Sequence, residues 1–173
     1  FDAMFEAGMQ PIDAIGISYY PFWHGDLNAL KNNMNDIAVR YGKDLVIAEV
    51  SMGYTVEDYA SYEKLALEDR KGMATKPALC EKVPFPMTKE GQCEFLKAFL
   101  EVLEQVPENR GRGFFYWEPA WLPVAGSGWA TPKSLEYIKE AGPCGNEWAN
   151  QALFDYDGNA LPALKVIRDY QPK

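Results

Sequence analysis

The chain has 173 residues, enough for one domain with a core of its own, and at 47% hydrophobic and 14% aromatic it is too apolar for a disordered segment. A formal charge of −8 with scattered lysines and arginines argues against a nucleic-acid partner. No apolar run approaches the roughly 18 residues of a membrane-spanning helix, and the single histidine, His24, excludes a zinc site built from several histidines.

Phe1 to Met9 reads as the tail of an amphipathic helix ending at Gly8, so the chain is expected to begin inside a larger unit. Asp13 to Tyr20 then reads as a short buried strand, closed by a loop over Pro21–Phe22–Trp23–His24–Gly25. Leu27, Leu30, Met34, Ile37, Ala38 and Tyr41 recur at helical spacing, with Asp26 as N-cap and Gly42 just past the end. A second strand, Asp44 to Val50, follows at once. It is an apolar run without alternation, which suits a strand covered on both faces, and it leads into the carboxylate of Glu49. Strand, helix and strand in roughly 30 residues make a unit of βαβ size.

Ser51 to Met87 is a long connection, with a candidate helix over Glu57 to Arg70 and an irregular, proline-containing stretch from Thr75. Thr88 can cap the next helix, whose apolar face is Phe95, Leu96, Phe99, Leu100 and Leu103. Pro107 and Gly111 end it. A third buried strand is expected over Gly113 to Trp117, then a glycine-rich loop over Ala125 to Ala130. Leu153 to Leu161 reads as a hairpin turning at Asp157–Gly158, and Pro162 opens a last helix running to about Tyr170. Cys80, Cys93 and Cys144 show no metal-ligand spacing and read as buried or unpaired thiols; a Cys80–Cys93 disulfide would need an oxidising compartment.

All three strands end in chemically active residues: Tyr19, Tyr20, Trp23 and His24; then Glu49 and Tyr54; then Tyr116, Trp117, Glu118 and Trp121. Parallel strands would bring these to one face, where α/β folds keep their chemistry. Aromatics beside carboxylates suit a sugar, whose C–H face stacks on indole and whose hydroxyls need polar partners. Two carboxyl groups break a glycosidic bond. His24 alone could be a general base; as a lone histidine in an aromatic loop it suits donating a hydrogen bond to substrate or backbone. Ser51 has no nucleophile elbow around it, and Gly126 and Gly128 form no dinucleotide fingerprint.

Ile15 to Gly25, Ile47 to Tyr54, Gly113 to Trp121, Gly126–Ser127–Gly128–Trp129 and Asn150 to Asp155 together resemble the endo-β-1,4-galactanases of glycoside hydrolase family 53. The resemblance covers nearly the whole chain. It implies an α/β fold, here part of a (β/α)8 TIM barrel: strands six to eight with their helices. Residues 1–173 would then be the C-terminal part of one catalytic domain that requires an N-terminal part. The implied activity is retaining endo-hydrolysis of β-1,4-galactosidic bonds in galactan, in a secreted or cell-surface protein.

The resemblance makes Glu49 the nucleophile and Trp117 the floor of the subsite for the cleaved sugar. Tyr19 or Tyr20 would bond the nucleophile, and Ser127 with Trp129 would line distant subsites. Trp23, His24, Glu118 and Trp121 complete the expected substrate-binding set. The acid/base glutamate of the family stands on a strand that is not here, and Gly145–Asn146–Glu147 copies its motif without a preceding strand. Some members bind calcium through an Asp/Asn/Gly-rich run after strand seven; Ser51 to Met87 has none, so no metal or cofactor is expected. Alternatives are a non-catalytic galactan-binding remnant, or a retaining barrel hydrolase acting on another β-glycan.

Overall fold

The computed structural model describes residues 1–9, 11–57, 77–123, 132–138 and 148–172. Helix α1 (Asp2–Glu6) leads to strand β1 (Ala14–Tyr19), the single helical turn α2 (Pro21–His24) and helix α3 (Leu27–Tyr41). Strand β2 (Asp44–Val50) is followed by the turn α4 (Pro77–Cys80) and the long helix α5 (Lys89–Glu104). Strand β3 (Gly111–Tyr116), helix α6 (Pro132–Ile138) and helix α7 (Ala163–Asp169) complete the order, with short 3-10 turns at Pro107–Asn109 and Ala149–Gln151. The three strands form one parallel sheet with β2 in the middle. This is an α/β fold.

The helices form where capping and periodicity agree. The Asp26 carboxylate accepts the Ala29 N–H at 2.8 Å, and Gly42 ends α3 in the left-handed region at φ 59°. Leu30, Met34, Ile37 and Ala38 are the buried stripe between. The Thr88 hydroxyl caps α5 by accepting the Gly91 N–H at 3.0 Å, and Phe95, Leu96, Phe99, Leu100 and Leu103 are buried. Burial of such stripes contributes about 25 cal/mol per Å² of apolar area. It outweighs capping, which is worth about 1 kcal/mol at each end.

Several boundaries differ from the sequence expectation. Pro21 presets the first helical φ, so the expected loop after β1 contains a helical turn. β3 begins at Gly111 rather than Gly113, because the Leu45 N–H already donates to Arg110 O at 2.8 Å. The expected hairpin is reduced to one bridge, Phe154 to Ala160. There the Asp155 carboxylate accepts the Asp157 and Asn159 N–H groups and closes the turn itself. Cys80 and Cys93 are not joined to each other. The candidate helix over Glu57 to Arg70, the glycine-rich loop and Cys144 fall in whole or in large part outside the described residues.

β2 is not covered on both faces. Leu45, Ile47 and Val50 are fully buried toward α3 and α5. The other face, carrying Ala14, Gly16, Ser18, Ala48 and Phe115, is exposed. No element among the described residues packs over it.

Gly91 tests how tightly α5 is seated. A Cβ there would lie 1.9 Å from the Pro86 carbonyl oxygen. Gly91→Ala is therefore expected to destabilise the protein by about 1–3 kcal/mol, read as a lowered midpoint in chemical denaturation. Gly42→Asn, in open space at a left-handed position that Asn tolerates, should move the midpoint far less.

Candidate active site

The site is built on an irregularity of β2. Ile47 pairs with Ile17, but Ser18 pairs with Glu49, so Ala48 is an extra residue on β2; pairing with β3 also lapses between Ile47 and Val50. Strict alternation would send Glu49 into the helix layer with Leu45 and Ile47. The bulge resets the phase. Ala48 is exposed, Glu49 half-buried and Val50 fully buried, so Glu49 stays on the open side at the carboxyl end of the central strand.

Tyr20 meets it there. Its hydroxyl donates to Glu49 Oε2 at 2.7 Å. Extended backbone at Tyr20 and the turn α2 hold this residue: its carbonyl accepts the Trp23 and His24 N–H groups, and its own N–H donates to His24 Nδ1 at 3.0 Å. His24 therefore accepts from the backbone through Nδ1, and a neutral ring carries its proton on Nε2. Burial pushes the Tyr20 hydroxyl pKa well up, and the bond to Glu49, its charge and that of Glu118 add to this. Tyr20 is thus a neutral donor throughout the physiological range, and Glu118 lies near enough for its charge to be felt.

The structure separates the two adjacent tyrosines. Tyr19 follows Ile15 and Ile17 into the core, 1% exposed, with its ring parallel to Phe95 and Phe99 and its hydroxyl on Gly25 O at 2.9 Å. Tyr20 is buried too, at 3% exposed, so neither ring offers a ligand an open face, and the expected substrate-binding place is corrected for both: Tyr20 serves Glu49 through its hydroxyl, and Tyr19 serves the core.

Indole rings cluster around Tyr20, the donor to the carboxylate. Trp23, 45% exposed, stands edge-on to Tyr20 at 5.3 Å. Trp117, 37% exposed, continues β3, its N–H donating to Val50 O at 2.8 Å. Glu118 adopts φ 50°, a left-handed conformation costing a non-glycine residue on the order of 1 kcal/mol. Bonds to either side hold the turn, since Pro119 O accepts the Leu153 N–H at 2.8 Å. Trp121, half-buried, donates its N–H to Glu118 O and lies outside the ring cluster. Ser127, Trp129 and Glu147 are outside the described residues.

Sequence reasoning missed Trp148. Its ring packs against Tyr20 at 5.6 Å, Trp23 at 6.4 Å and Trp117 at 6.3 Å. The signal was a tryptophan in an aperiodic stretch just before Asn150, where the last of the family-like segments begins. Beneath the rings lies a polar network equally invisible in sequence. The Ser51 hydroxyl donates to Gln151 Oε1, and Tyr116 Oη donates to Gln151 O at 2.8 Å. Gln92 Nε2 reaches Met52 O at 2.8 Å and Ala152 O at 3.1 Å. Among the described residues no cluster of three or more His, Cys, Asp or Glu side chains could hold a metal.

Fold and site together define a parallel α/β chain with a tyrosine-bound carboxylate and a cluster of indoles at the carboxyl ends of its strands. Residues 1–167 match the model of glycosyl hydrolase family 53, and the chain belongs to that family. An endo-beta-1,4-galactanase of Bacillus subtilis (strain 168) is 36% identical over 174 residues, covering 90% of this chain and 38% of that protein. An uncharacterized protein in the bgaB 5′ region of Niallia circulans is 35% identical over 164 residues, covering 95% and 39%. Among solved structures, the GH53 catalytic domain of Ignisphaera aggregans superposes with a TM-score of 0.79 at 31% identity, covering 96% of this chain and 41% of that one. The chain thus spans about two fifths of the length of these relatives.

The tyrosines around the site set an alkaline limit. Burial is the first cause raising the hydroxyls of Tyr19, Tyr20, Tyr54 and Tyr116 above the ordinary 10.0. A group whose folded pKa is raised contributes stability that is complete below its unfolded pKa, here about 10, and lost as pH climbs toward the folded value. The denaturation midpoint is expected to fall steadily above about pH 10. Tyr19→Phe should make that fall shallower while lowering neutral-pH stability by about 1 kcal/mol through the lost bond to Gly25. A midpoint that stays level up to about pH 11 would contradict this.

Proposed function

We propose that the intact protein carrying this chain is an endo-β-1,4-galactanase that hydrolyses (arabino)galactan with retention, using Glu49 as nucleophile. The observation that carries the reading is the Tyr20 hydroxyl on Glu49 Oε2 at 2.7 Å, at the carboxyl end of the middle strand, with the indoles of Trp23 and Trp148 packed on the Tyr20 ring. Membership of glycosyl hydrolase family 53 and the galactanase relative from Bacillus subtilis support the choice of substrate. The three parallel strands are read as strands six, seven and eight of a (β/α)8 barrel. A secreted or cell-surface location goes with a polysaccharide substrate too large to enter a cell.

On this reading the two oxygens of the Glu49 carboxylate divide the work. Tyr20 holds Oε2, which leaves Oε1 to attack the anomeric carbon. As the Glu49 C–O bond forms, the bond to the leaving glycosyl oxygen breaks, and a second carboxyl group gives that oxygen its proton. Water, deprotonated by the same second group, then releases the sugar from Glu49. The net result is one water consumed and configuration retained. The second carboxyl should stand roughly 5–5.5 Å from Glu49. The reading assigns it to an N-terminal part of the barrel outside these 173 residues. Trp117 floors the subsite of the cleaved sugar, and Trp23 flanks it. Glu118 is placed to bind a sugar hydroxyl, and His24 has Nε2 to donate. Trp121, Ser127 and Trp129 are assigned to more distant subsites.

In the intact protein, Glu49→Gln is expected to lower turnover on galactan by at least about a thousandfold while keeping oligosaccharide binding. Galactan should be cleaved in preference to mannan and cellulose. Wild-type-like turnover in the variant would sink the nucleophile assignment. Binding without any hydrolysis by the wild type would favour a galactan-binding remnant.

The chain purified by itself should have no galactanase activity, since it would hold the nucleophile without the acid. It should also associate through its exposed strand edges and open sheet face. Galactan turnover by a monomer of residues 1–173 with a sharp melt would overturn the placement of the acid and turn attention to Glu118.

A further inference from the structure

Trp148 belongs to none of the three strand ends that supply the rest of the site. It opens the 3-10 turn Ala149–Gln151, and its ring meets Tyr20 at an interplanar angle of 42°, Trp23 at 82° and Trp117 at 75°. The two near-perpendicular contacts are the favourable edge-to-face arrangement of aromatic pairs. Trp148 thus ties a ring on the β1 side, Trp23, to a ring on the β3 side, Trp117, and seats Tyr20 among them.

The turn that carries it is fixed on both sides. The Tyr54 N–H donates to Asn150 O at 2.9 Å, and Asn150 Nδ2 donates to Thr55 O at 3.0 Å. The Ser51 hydroxyl donates to Gln151 Oε1, and the Leu153 N–H donates to Pro119 O at 2.8 Å. Ser51 and Tyr54 lie just past Glu49; Pro119 lies just past Trp117. The Trp148 backbone is therefore referenced to β2 and β3, while its ring presses on a tyrosine that comes from β1. Among the described residues the Tyr20 hydroxyl has one acceptor, Glu49 Oε2. A small swing of the side chain about its Cα–Cβ bond would carry the hydroxyl off that oxygen, and aromatic packing against the ring is what opposes the swing.

We propose that Trp148 is a positioning residue for the nucleophile: by packing on the Tyr20 ring it holds that side chain in the direction that keeps its hydroxyl on Glu49. The proposal rests on the reading of Glu49 given above. It separates Trp148 from Trp117 and Trp23, which are assigned to sugar contact. Trp148 acts through Tyr20, so its removal should be felt in turnover rather than in affinity, and should matter only while Tyr20 has a hydroxyl to aim.

The experiment is a double-mutant cycle in the intact enzyme, reading kcat and KM on galactan together with the thermal midpoint of each variant. Trp148→Ala is expected to lower kcat about tenfold with KM changed less than about threefold. Trp148→Phe, which keeps a ring against Tyr20, should recover kcat to within about threefold of wild type. In a Tyr20→Phe background, Trp148→Ala should lower kcat by less than about twofold, because coupled residues are not additive. If Trp148→Ala does not fold, Trp148→Leu takes its place in the same cycle. An equal loss in both backgrounds overturns the proposal, as does a rise in KM with kcat unchanged, which would make Trp148 a sugar platform. Those outcomes presuppose a wild type that cleaves galactan; a wild type without hydrolysis refutes the functional reading itself.

Discussion

One extra residue in β2 decides where the site can be. A parallel strand under a helix layer alternates, and Leu45 and Ile47 are committed to the core side. Without Ala48 as a bulge, Glu49 would follow them, and a carboxylate driven among Phe95, Leu96 and Phe99 would face a desolvation penalty of several kcal/mol. With the bulge, the strand keeps Val50 buried and still delivers Glu49 to the open side. Strand phase and carboxylate placement are thus one constraint. Lapsed pairing with β3 at the same point leaves room for both residues on that face.

The second constraint is coupling between segments far apart in sequence. Tyr116, Gln92, Ser51 and Gln151 come from β3, α5, the end of β2 and a turn near the C terminus, and their hydrogen bonds converge on one buried region. Each such bond adds only about 1 kcal/mol net, but leaving a buried partner unmade costs more, so the set tends to be made or broken together. The consequence is mechanical. The segment after Glu49 and the turn carrying Trp148 cannot shift independently, and the aromatic wall inherits the rigidity of the core beneath it.

Local signals were legible and long-range ones were not. Asp26, Gly42 and Thr88 mark helix ends by chemistry confined to three or four residues, and α3 and α5 lie where those marks place them. β2 runs from Asp44 to Val50 as its apolar run indicates. The choice between Tyr19 and Tyr20 was readable too, since alternation puts Tyr19 on the face of Ile15 and Ile17, although sequence reasoning left both open. The bulge was not readable, because it exists only relative to the register of β1. Nor was Trp148: its turn is held by bonds to residues about a hundred positions earlier, such as Ser51 to Gln151, and no periodicity announces it.

The open face completes the physical picture. Parallel sheets are stable when both faces are covered, yet here only the side toward α3 and α5 is. The exposed side is paved with small residues, Ala14, Gly16, Ser18 and Ala48, with Phe115 standing 68% exposed among them. A Cβ added at Gly16 would sit 3.5 Å from the Ala48 Cβ, so this face is already at contact distance between neighbouring strands. A barrel interior fills in layers drawn from alternate strands, mostly with bulky side chains, so a face of small residues beside one ring leaves most of that filling to side chains from other strands. The barrel reading accounts for this face without further assumption, and it ties the bulge to the same logic. On that reading Glu49 leaves the helix layer only to stand at the mouth of the interior that a closed barrel would enclose.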